Sequence, residues 1–361
     1  VSRIFFGLLE FYSELNYNLI YKWGIFMDYS SLGFKYHPTD YYYVCKFKDG
    51  VWQKGKLTQD RFLSISMFSQ VIHYGQEAFE GLKAYLTKDG SINLFRPDMN
   101  AKRLQRSSKR LLMPEITEEH FINAVIDVVK ANRKHVPPYG SGASLYIRPV
   151  LFGVGDNLGV NPASDYIFAI MTSPVGPYFK GDLKPVRMMV SDYDRAAPFG
   201  TGDIKTGGNY ASSLLPNRLA KEQGFADCIY LDPATHTKID EVGAANFFGI
   251  TKKGVYVTPV SSSILPSITQ DSLKYLAMDK LGLRVEERDV FITNLDEFEE
   301  IGACGTAAAV TPIYEIVHKG KLIYQRDPNQ LGFVSKQLSK IMNDIQNGNL
   351  KLLNNWSITI K

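Results

Sequence analysis

Short strand-length runs, set apart by Gly, Pro and Asx turns, fill both halves of this chain, with helical stretches between them. No period of about 20–50 residues recurs, which excludes solenoids and propellers. Runs of both kinds in one chain of 361 residues point to a mixed α/β (α+β) protein with room for two domains of ordinary size. In the first half, Ser91 to Phe95 reads as a strand after the Asp89-Gly90 turn. Asp98 then reads as the cap of a helix with Leu104, Leu111 and Leu112 on its apolar side. A second helix is predicted after Thr117, where Phe121, Val125, Val128 and Val129 recur at helical spacing before Pro137-Pro138. Leu145 to Val150 and Tyr166 to Met171 read as strands.

The Pro- and Gly-rich residues 174–182 read as a connection between domains. They separate a small α/β domain over 28–173 from a larger, strand-rich domain over 183–361. The second begins with a strand at Val186 to Val190, followed by a helix over Ala211 to Gln223. A meander of strands then runs from Asp227 to Thr258, and a helix from Thr269 to Lys280 stops at Gly282. Residues 1–27 stand apart as an aromatic and apolar extension. Its one compact hydrophobic run, Ile4 to Leu9, is short for a signal peptide, and Glu10 and Glu14 sit badly in an organellar transit peptide. This extension is expected to be dispensable.

Composition narrows the function class. A hydrophobic content of 45% with 22% charged residues is that of a soluble globular protein. A net charge of +4, without a long basic run, argues against a nucleic-acid partner. No apolar stretch approaches the roughly 18 residues of a membrane span. Cys45, Cys228 and Cys304 lie far apart and form no Cys-x-x-Cys pair, so neither a disulfide framework nor a metal site is expected. A reducing compartment fits, the cytoplasm first and an organellar matrix second.

Chemistry concentrates at Lys205, within Gly200-Thr201-Gly202-Asp203-Ile204-Lys205-Thr206-Gly207-Gly208-Asn209-Tyr210. Glycines let backbone approach a bulky partner and permit positive φ. An amine held there can attack a carbonyl, provided burial or nearby cations lower its pKa. The competing reading is a flexible loop with one solvated lysine. A P-loop is excluded, because it needs glycine directly before Lys-Thr and Ile204 stands there. Gly153-Val154-Gly155-Asp156-Asn157-Leu158-Gly159 has its last glycine one residue late for a dinucleotide fingerprint.

Five further segments accompany the lysine loop: Tyr74-Gly75-Gln76-Glu77-Ala78-Phe79-Glu80-Gly81, Leu94-Phe95-Arg96-Pro97-Asp98, Ile239-Asp240-Glu241-Val242-Gly243-Ala244-Ala245-Asn246-Phe247-Phe248, Ile264-Leu265-Pro266-Ser267-Ile268-Thr269 and Gly302-Ala303-Cys304-Gly305-Thr306-Ala307. In this order, from about Asp28 to the Trp356 tail, the chain resembles the branched-chain amino acid aminotransferases, pyridoxal-phosphate enzymes of fold type IV. The resemblance implies a smaller N-terminal α/β domain and a larger pseudo-barrel domain. It implies transamination between leucine, isoleucine or valine and 2-oxoglutarate, with pyridoxal 5'-phosphate held as an imine on Lys205. Small-molecule substrates and a homodimer are the partners implied; no metal, nucleic acid or membrane is.

The resemblance also assigns residues. Lys205 would carry the imine and the proton transfer. Glu241 would keep the cofactor's pyridine nitrogen protonated, since a nearby carboxylate favours the charged form; its other reading is a solvated turn glutamate. Tyr210 would bond the phenolic oxygen. Arg103, the N–H groups of Ile268 and Thr269 at a helix start, and the Thr306 hydroxyl would take the phosphate. By residue type alone, Arg103 competes with Arg106 and Ser107 one turn away, and with a solvated basic face shared by Lys102, Lys109 and Arg110.

Tyr74, Phe79, Tyr178 and Ala244 would contact substrate. Tyr146 and Arg148 point to one side of a strand and would receive a carboxylate, though Arg148 reads equally as a structural ion-pair partner. The N–H groups of Thr306 and Ala307 would hold the α-carboxylate, and Leu158 and Val160 would complete the partner subunit's pocket. Ala308 and Ala309 stand where some relatives carry a redox Cys-x-x-Cys, Cys304 reads as a buried filler, and Ile204 is bulky enough to narrow the site. D-Amino acid aminotransferases and aminodeoxychorismate lyases share the fold and are the alternatives. A non-catalytic scaffold is the reading from another class.

Overall fold

Two sheets organise the chain in the computed structural model, which describes residues 19–22, 25–177, 183–307, 309–352 and 356–361. Tyr178 and residues 178–182 of the expected connection lie outside the described residues, as do 1–18, 23 and 24 of the N-terminal extension. Within that extension β1 (Leu19–Lys22) pairs antiparallel with β2 (Ile25–Asp28).

The first sheet contains β3 (Tyr42–Lys48), β4 (Val51–Trp52), β5 (Lys56–Thr58), β6 (Glu77–Phe79), β7 (Leu82–Leu86), β8 (Ile92–Phe95), β9 (Ser144–Val154) and β10 (Asp165–Val175). It also takes β20 (Ser357–Ile360), giving the order β20-β8-β7-β9-β10-β3-β4, with β5 on β3 and β6 on β9; a short helix, α1 (Gln70–Tyr74), leads into β6. The sequence division at 183 assigns the chain's end to the second unit. The structure returns it to the first, because Ser357–Ile360 alternates like an edge strand and pairs along β8.

β9 shows how this sheet sorts its residues. Leu145, Ile147 and Leu151 are buried, whereas Tyr146, Arg148, Val150 and Phe152 are half-buried on the opposite face. The buried face packs against Phe121, Val125, Val128 and Val129 of α3 (Glu118–Ala131) and Leu104 of α2 (Pro97–Arg110). The other face stays open for the site. Thr117 caps α3, its side chain accepting from the His120 N–H. Asp98 does not cap α2: Pro97 opens that helix and Arg96 is the cap residue, in the left-handed region at φ 48°. Leu112, expected on the apolar side, is exposed with φ 53° just past the helix end.

The second sheet comprises β11 (Val186–Val190), β12 (Asp227–Leu231), β13 (Ile239–Val242), β14 (Ala245–Thr251), β15 (Val255–Thr258), β16 (Arg284–Glu287), β17 (Phe298–Cys304), β18 (Thr311–His318) and β19 (Lys321–Gln325). Its order is β13-β12-β11-β18-β17-β14-β15-β16, with β19 on β18. A further pairing of β13 with β14 closes a ring through β12, β11, β18 and β17. Ile229, Val242, Phe247, Val257, Phe298, Ile301 and Ile316 fill it. This closed barrel beside an open α/β sheet is the expected fold class.

The expected helix at 211–223 is two, α4 (Gly207–Ala211) and α5 (Leu214–Glu222). Pro216 has no N–H to give the carbonyl of residue 212, so one ladder cannot run through. α6 (Ile268–Leu281) ends at Gly282 in the left-handed region and packs with α7 (Phe333–Gln346) over Phe248, Tyr256, Leu273 and Leu276. Cys45, Cys228 and Cys304 are free and buried. Among the described residues no helix is long and apolar enough to cross a membrane.

Candidate active site

Lys205 is not a solvated lysine. Its Nζ donates to the Tyr210 hydroxyl at 2.7 Å and lies 4.7 Å from the centroid of Phe79. Burial, reinforced by Arg103 and Arg148, pushes the amine down to about 7. The backbone there is held from both sides: Lys205 N–H donates to Ser107 Oγ of α2 at 3.1 Å, and its carbonyl accepts from Phe79 N–H of β6 at 3.0 Å. Asn209 ties the loop internally, bonding the carbonyls of Thr201 and Ile204. Ile204 is buried beneath it.

The glycines here serve close approach rather than unusual φ. None of Gly200, Gly202, Gly207 or Gly208 is in the left-handed region; Phe199 is, at φ 59°. A Cβ on Gly202 would lie 2.6 Å from Ser263 Cα, and one on Gly207 would run into the Glu77 carboxylate.

Glu241, on β13, is buried and is no turn glutamate. Its Oε2 pairs with Arg195 Nε at 3.0 Å, and its Oε1 accepts from Leu265 N–H at 2.6 Å. Burial pushes this carboxyl up to about 7, against the opposing pull of Arg195 and the Leu265 N–H. Arg195 also donates to the carbonyls of Gly202 and Ser263, so one guanidinium joins the lysine loop, Glu241 and the segment leading into α6.

On α2, Arg103 turns inward while Lys102, Arg106, Lys109 and Arg110 stay exposed. Arg106 reaches the Asp203 carbonyl at 2.8 Å and Ser107 holds Lys205. Arg103 is bound to Glu80 through Nε and Nη2, and its Nη1 donates to the Pro266 carbonyl at 3.0 Å. Pro266 directly precedes Ser267, which caps α6 by accepting from Gln270 N–H. The N–H groups of Ile268 and Thr269 in the first turn have no intrahelical acceptor. They line one small cavity together with Thr306, Lys83 and Asn100.

The open face of the first sheet supplies the remaining wall. Lys83 stands opposite Tyr146 in the β7–β9 register, and Phe79 opposite Val150 in the β6–β9 register. Arg148 lies over the Phe79 ring at 4.7 Å and donates to the Tyr146 hydroxyl at 2.9 Å. Among the described residues Arg148 makes no salt bridge; its contacts are the Tyr146 hydroxyl and the Phe79 ring. A cavity of about 390 Å³ opens beside the pair, lined also by Phe34, Tyr36, Tyr42 and Met171. From the barrel, the Ala307 carbonyl accepts from Lys83 Nζ at 2.9 Å, and burial pushes that lysine down to about 8. Ala244, in the exposed turn between β13 and β14, lies beside Gly305.

Tyr74, Leu158 and Val160 sit apart from this cluster. The Tyr74 hydroxyl donates to the Leu158 carbonyl at 2.9 Å, and all three side chains are exposed. Beyond β9, residues 155–164 form no helix, so the glycine pattern there has no phosphate-binding turn. Sequence reasoning did not single out Glu77, Glu80, Lys83 or Arg195. For Glu77 a signal existed: it shares strand alternation with Phe79, a residue already named.

The profile described as "Amino-transferase class IV" matches residues 77–316. The branched-chain-amino-acid aminotransferase of Haemophilus influenzae is 53% identical over 93% of this chain and 99% of its own length. The Escherichia coli branched-chain amino acid aminotransferase structure superposes with a TM-score of 0.73 at 28% identity, over 89% of this chain and 99% of that one. The Thermobaculum terrenum branched-chain amino acid aminotransferase in its PLP form does so with a TM-score of 0.74 at 25% identity, over 90% and 99%. This chain therefore belongs to the class IV aminotransferases.

Proposed function

We propose that this chain exchanges amino groups between L-leucine, L-isoleucine or L-valine and 2-oxoglutarate, with Lys205 as its catalytic amine. The observation that carries this reading is the Lys205 Nζ itself. It is poised near neutrality by burial and held at 2.7 Å by Tyr210, in a chain 53% identical to the Haemophilus influenzae enzyme.

The donor set fits pyridoxal 5'-phosphate, the cofactor of class IV aminotransferases. Ile268, Thr269 and Thr306 line one cavity at the start of α6, where free N–H groups of a helix N-terminus favour a phosphate. Arg103, paired with Glu80, holds the Pro266 carbonyl directly before that helix and so positions its N-terminus. When bound, the cofactor supplies a carbonyl carbon for an amine and a ring that withdraws electrons. Glu241 is the carboxylate for that ring's nitrogen, and Arg195 keeps it oriented. Lys205 Nζ, neutral above about 7, takes the proton from the substrate's α-carbon.

The two substrates share one cavity under this reading. Phe79 and Tyr178 wall the aliphatic side chain, Tyr146 and Arg148 receive the distal carboxylate of glutamate, and the N–H groups of Thr306 and Ala307 take the α-carboxylate. Ala244 lies beside the reacting carbon. Tyr74 contacts substrate, and Leu158 and Val160, which its hydroxyl helps to position through the Leu158 carbonyl, act across a homodimer. Supporting that placement, Leu158 and Val160 are 71% and 81% exposed, in company with exposed Phe62, Met67 and Ile72. The sheets with their helices are the two domains. The cytoplasm is the compartment this reading favours, since all three cysteines are free thiols.

Purified protein tests the assignment. A visible absorption band that leucine bleaches and 2-oxoglutarate restores, with no response to D-amino acids, is expected. A colourless protein, or a preference for D-alanine, would overturn it in favour of a scaffold or the D-specific relative. Pyruvate release from aminodeoxychorismate would indicate the lyase.

A further inference from the structure

Two of the acids around Lys205 are already matched to a base: Glu80 to Arg103, and Glu241 to Arg195. Glu77 is not. Among the described residues it makes no ion pair, although it belongs to the same open sheet face as the substrate-cavity residues. Glu77 and Phe79 alternate to one side of β6. They stand opposite Phe152 and Val150 of β9, and Arg148 follows on that face two residues beyond Val150. The Phe79 ring carries the Arg148 guanidinium and the Lys205 amine, each 4.7 Å from its centroid. Glu77 thus lies on the same face as Arg148, with Phe79 at the position between them. Its carboxylate is fixed there by the Gly207 N–H, which donates to Oε1, and a Cβ at 207 would crowd that carboxylate. Burial pushes the Glu77 carboxyl up, opposed by the Gly207 N–H and then by Arg148 and Lys205.

An aliphatic side chain in this cavity brings no charge of its own. It would leave Arg148 desolvated and uncompensated, a costly state. A dicarboxylate brings its own counter-charge. We propose that Glu77 is a specificity-determining residue: its carboxylate is the resident counter-charge for Arg148, favouring branched aliphatic substrates and opposing the distal carboxylate of 2-oxoglutarate. This rests on the reading of Arg148 as the receiver of that distal carboxylate. At an effective dielectric of about 20, a like charge roughly 10 Å away shifts relative affinity on the order of tenfold.

Glu77→Gln keeps an oxygen for the Gly207 N–H and removes only the charge. In the holoenzyme, the ratio of kcat/KM for 2-oxoglutarate to that for 4-methyl-2-oxopentanoate should rise about tenfold, and glutarate should inhibit more tightly relative to 4-methylpentanoate. Glu77→Asp keeps the charge while shortening the reach to Gly207, so its ratio should stay within about twofold of wild type. Glu77→Gln with an unchanged ratio, or a shift in Glu77→Asp as large as in Glu77→Gln, would overturn the proposal and leave Glu77 as a clamp on the lysine loop. Arg148→Gln separates the underlying reading. If it does not weaken 2-oxoglutarate selectively, the role of Arg148 fails whatever Glu77 does. If it does and Glu77→Gln shows nothing, only the role of Glu77 fails.

Discussion

Glu80 grips the guanidinium of Arg103 with both carboxylate oxygens, Oε1 to Nε at 2.7 Å and Oε2 to Nη2 at 2.8 Å. Asn100 adds a third hydrogen bond to Oε2, also at 2.7 Å. The pair is buried, and the nitrogen it leaves over reaches the Pro266 carbonyl at the entrance of α6. A sheet turn, α2 of the first unit and the entrance of α6 beside the barrel are thereby referenced to one planar fork, a geometry lysine does not provide.

Removing one member of such a pair strands the other. Glu80→Gln should cost about 3–5 kcal/mol in urea unfolding, because Arg103 keeps its charge in a buried place. Cofactor affinity should fall with it, measured by titrating pyridoxal phosphate into apoprotein. A variant within about 0.5 kcal/mol of wild type would mean that Arg103 finds water or another anion once Glu80 is neutral.

Lys205 is expected to titrate far below an ordinary lysine. Its folded value of about 7 lies below the usual 10.5, and burial favours the neutral amine. In apoprotein, reaction of this amine with a simple aldehyde, trapped by reduction, should therefore rise through pH 7 and level off by about pH 8.5. A midpoint near 10 would show that the amine is solvated. Lys205→Ala should keep the fold and abolish turnover, and Lys205→Arg should not rescue it, since a guanidinium stays protonated.

Glu241→Gln isolates charge from shape. The amide oxygen can still accept from Leu265 N–H, while Arg195 loses its counter-ion. The expected outcome is bound cofactor with a slower chemical step, on the order of a hundredfold in single-turnover spectra, because the ring nitrogen loses its carboxylate. An unchanged kcat with weaker cofactor binding would make Glu241 a binding residue only.

Local punctuation made much of the fold legible in the sequence. Thr117 before an apolar 3.6-residue pattern predicts α3, and Gly282 predicts where α6 stops. The failures have equally local causes: Pro216 splits a run that reads as one helix, and Pro97 takes the helix start from Asp98. At the site, residues inside glycine-rich or small-residue turns stood out, which favoured Lys205, Glu241 and Thr306. Glu80, Lys83 and Arg195 did not, since their roles arise from pairings across more than twenty residues of chain or between the two sheets. No periodicity encodes such pairings. β20 is the same case at the level of topology, a terminal strand whose partner, β8, lies in the other half of the chain.

Two glycines on either side of Lys205 should respond oppositely to the same added methyl group. At Gly202 a Cβ would lie 2.6 Å from both Cα and O of Ser263, main-chain atoms that cannot swing aside as a flexible side chain does. The Gly202 carbonyl is also tied to Arg195 at 2.9 Å, so the loop must move as a unit and carry Lys205 with it. Gly202→Ala should lower the melting temperature by several degrees and kcat by about tenfold or more, as expected when a reacting group is displaced by even an ångström. Gly208 has nothing within 4 Å of its Cβ direction, and it lies inside α4 with ordinary helical φ. In apoprotein, Gly208→Ala should therefore be neutral or stabilising by about 0.5–1 kcal/mol through reduced chain entropy. Thermal unfolding of the two apoproteins side by side checks both. Equal destabilisation would mean that the whole loop is intolerant of bulk, and that the contact between Gly202 and Ser263 is not what holds the lysine in place.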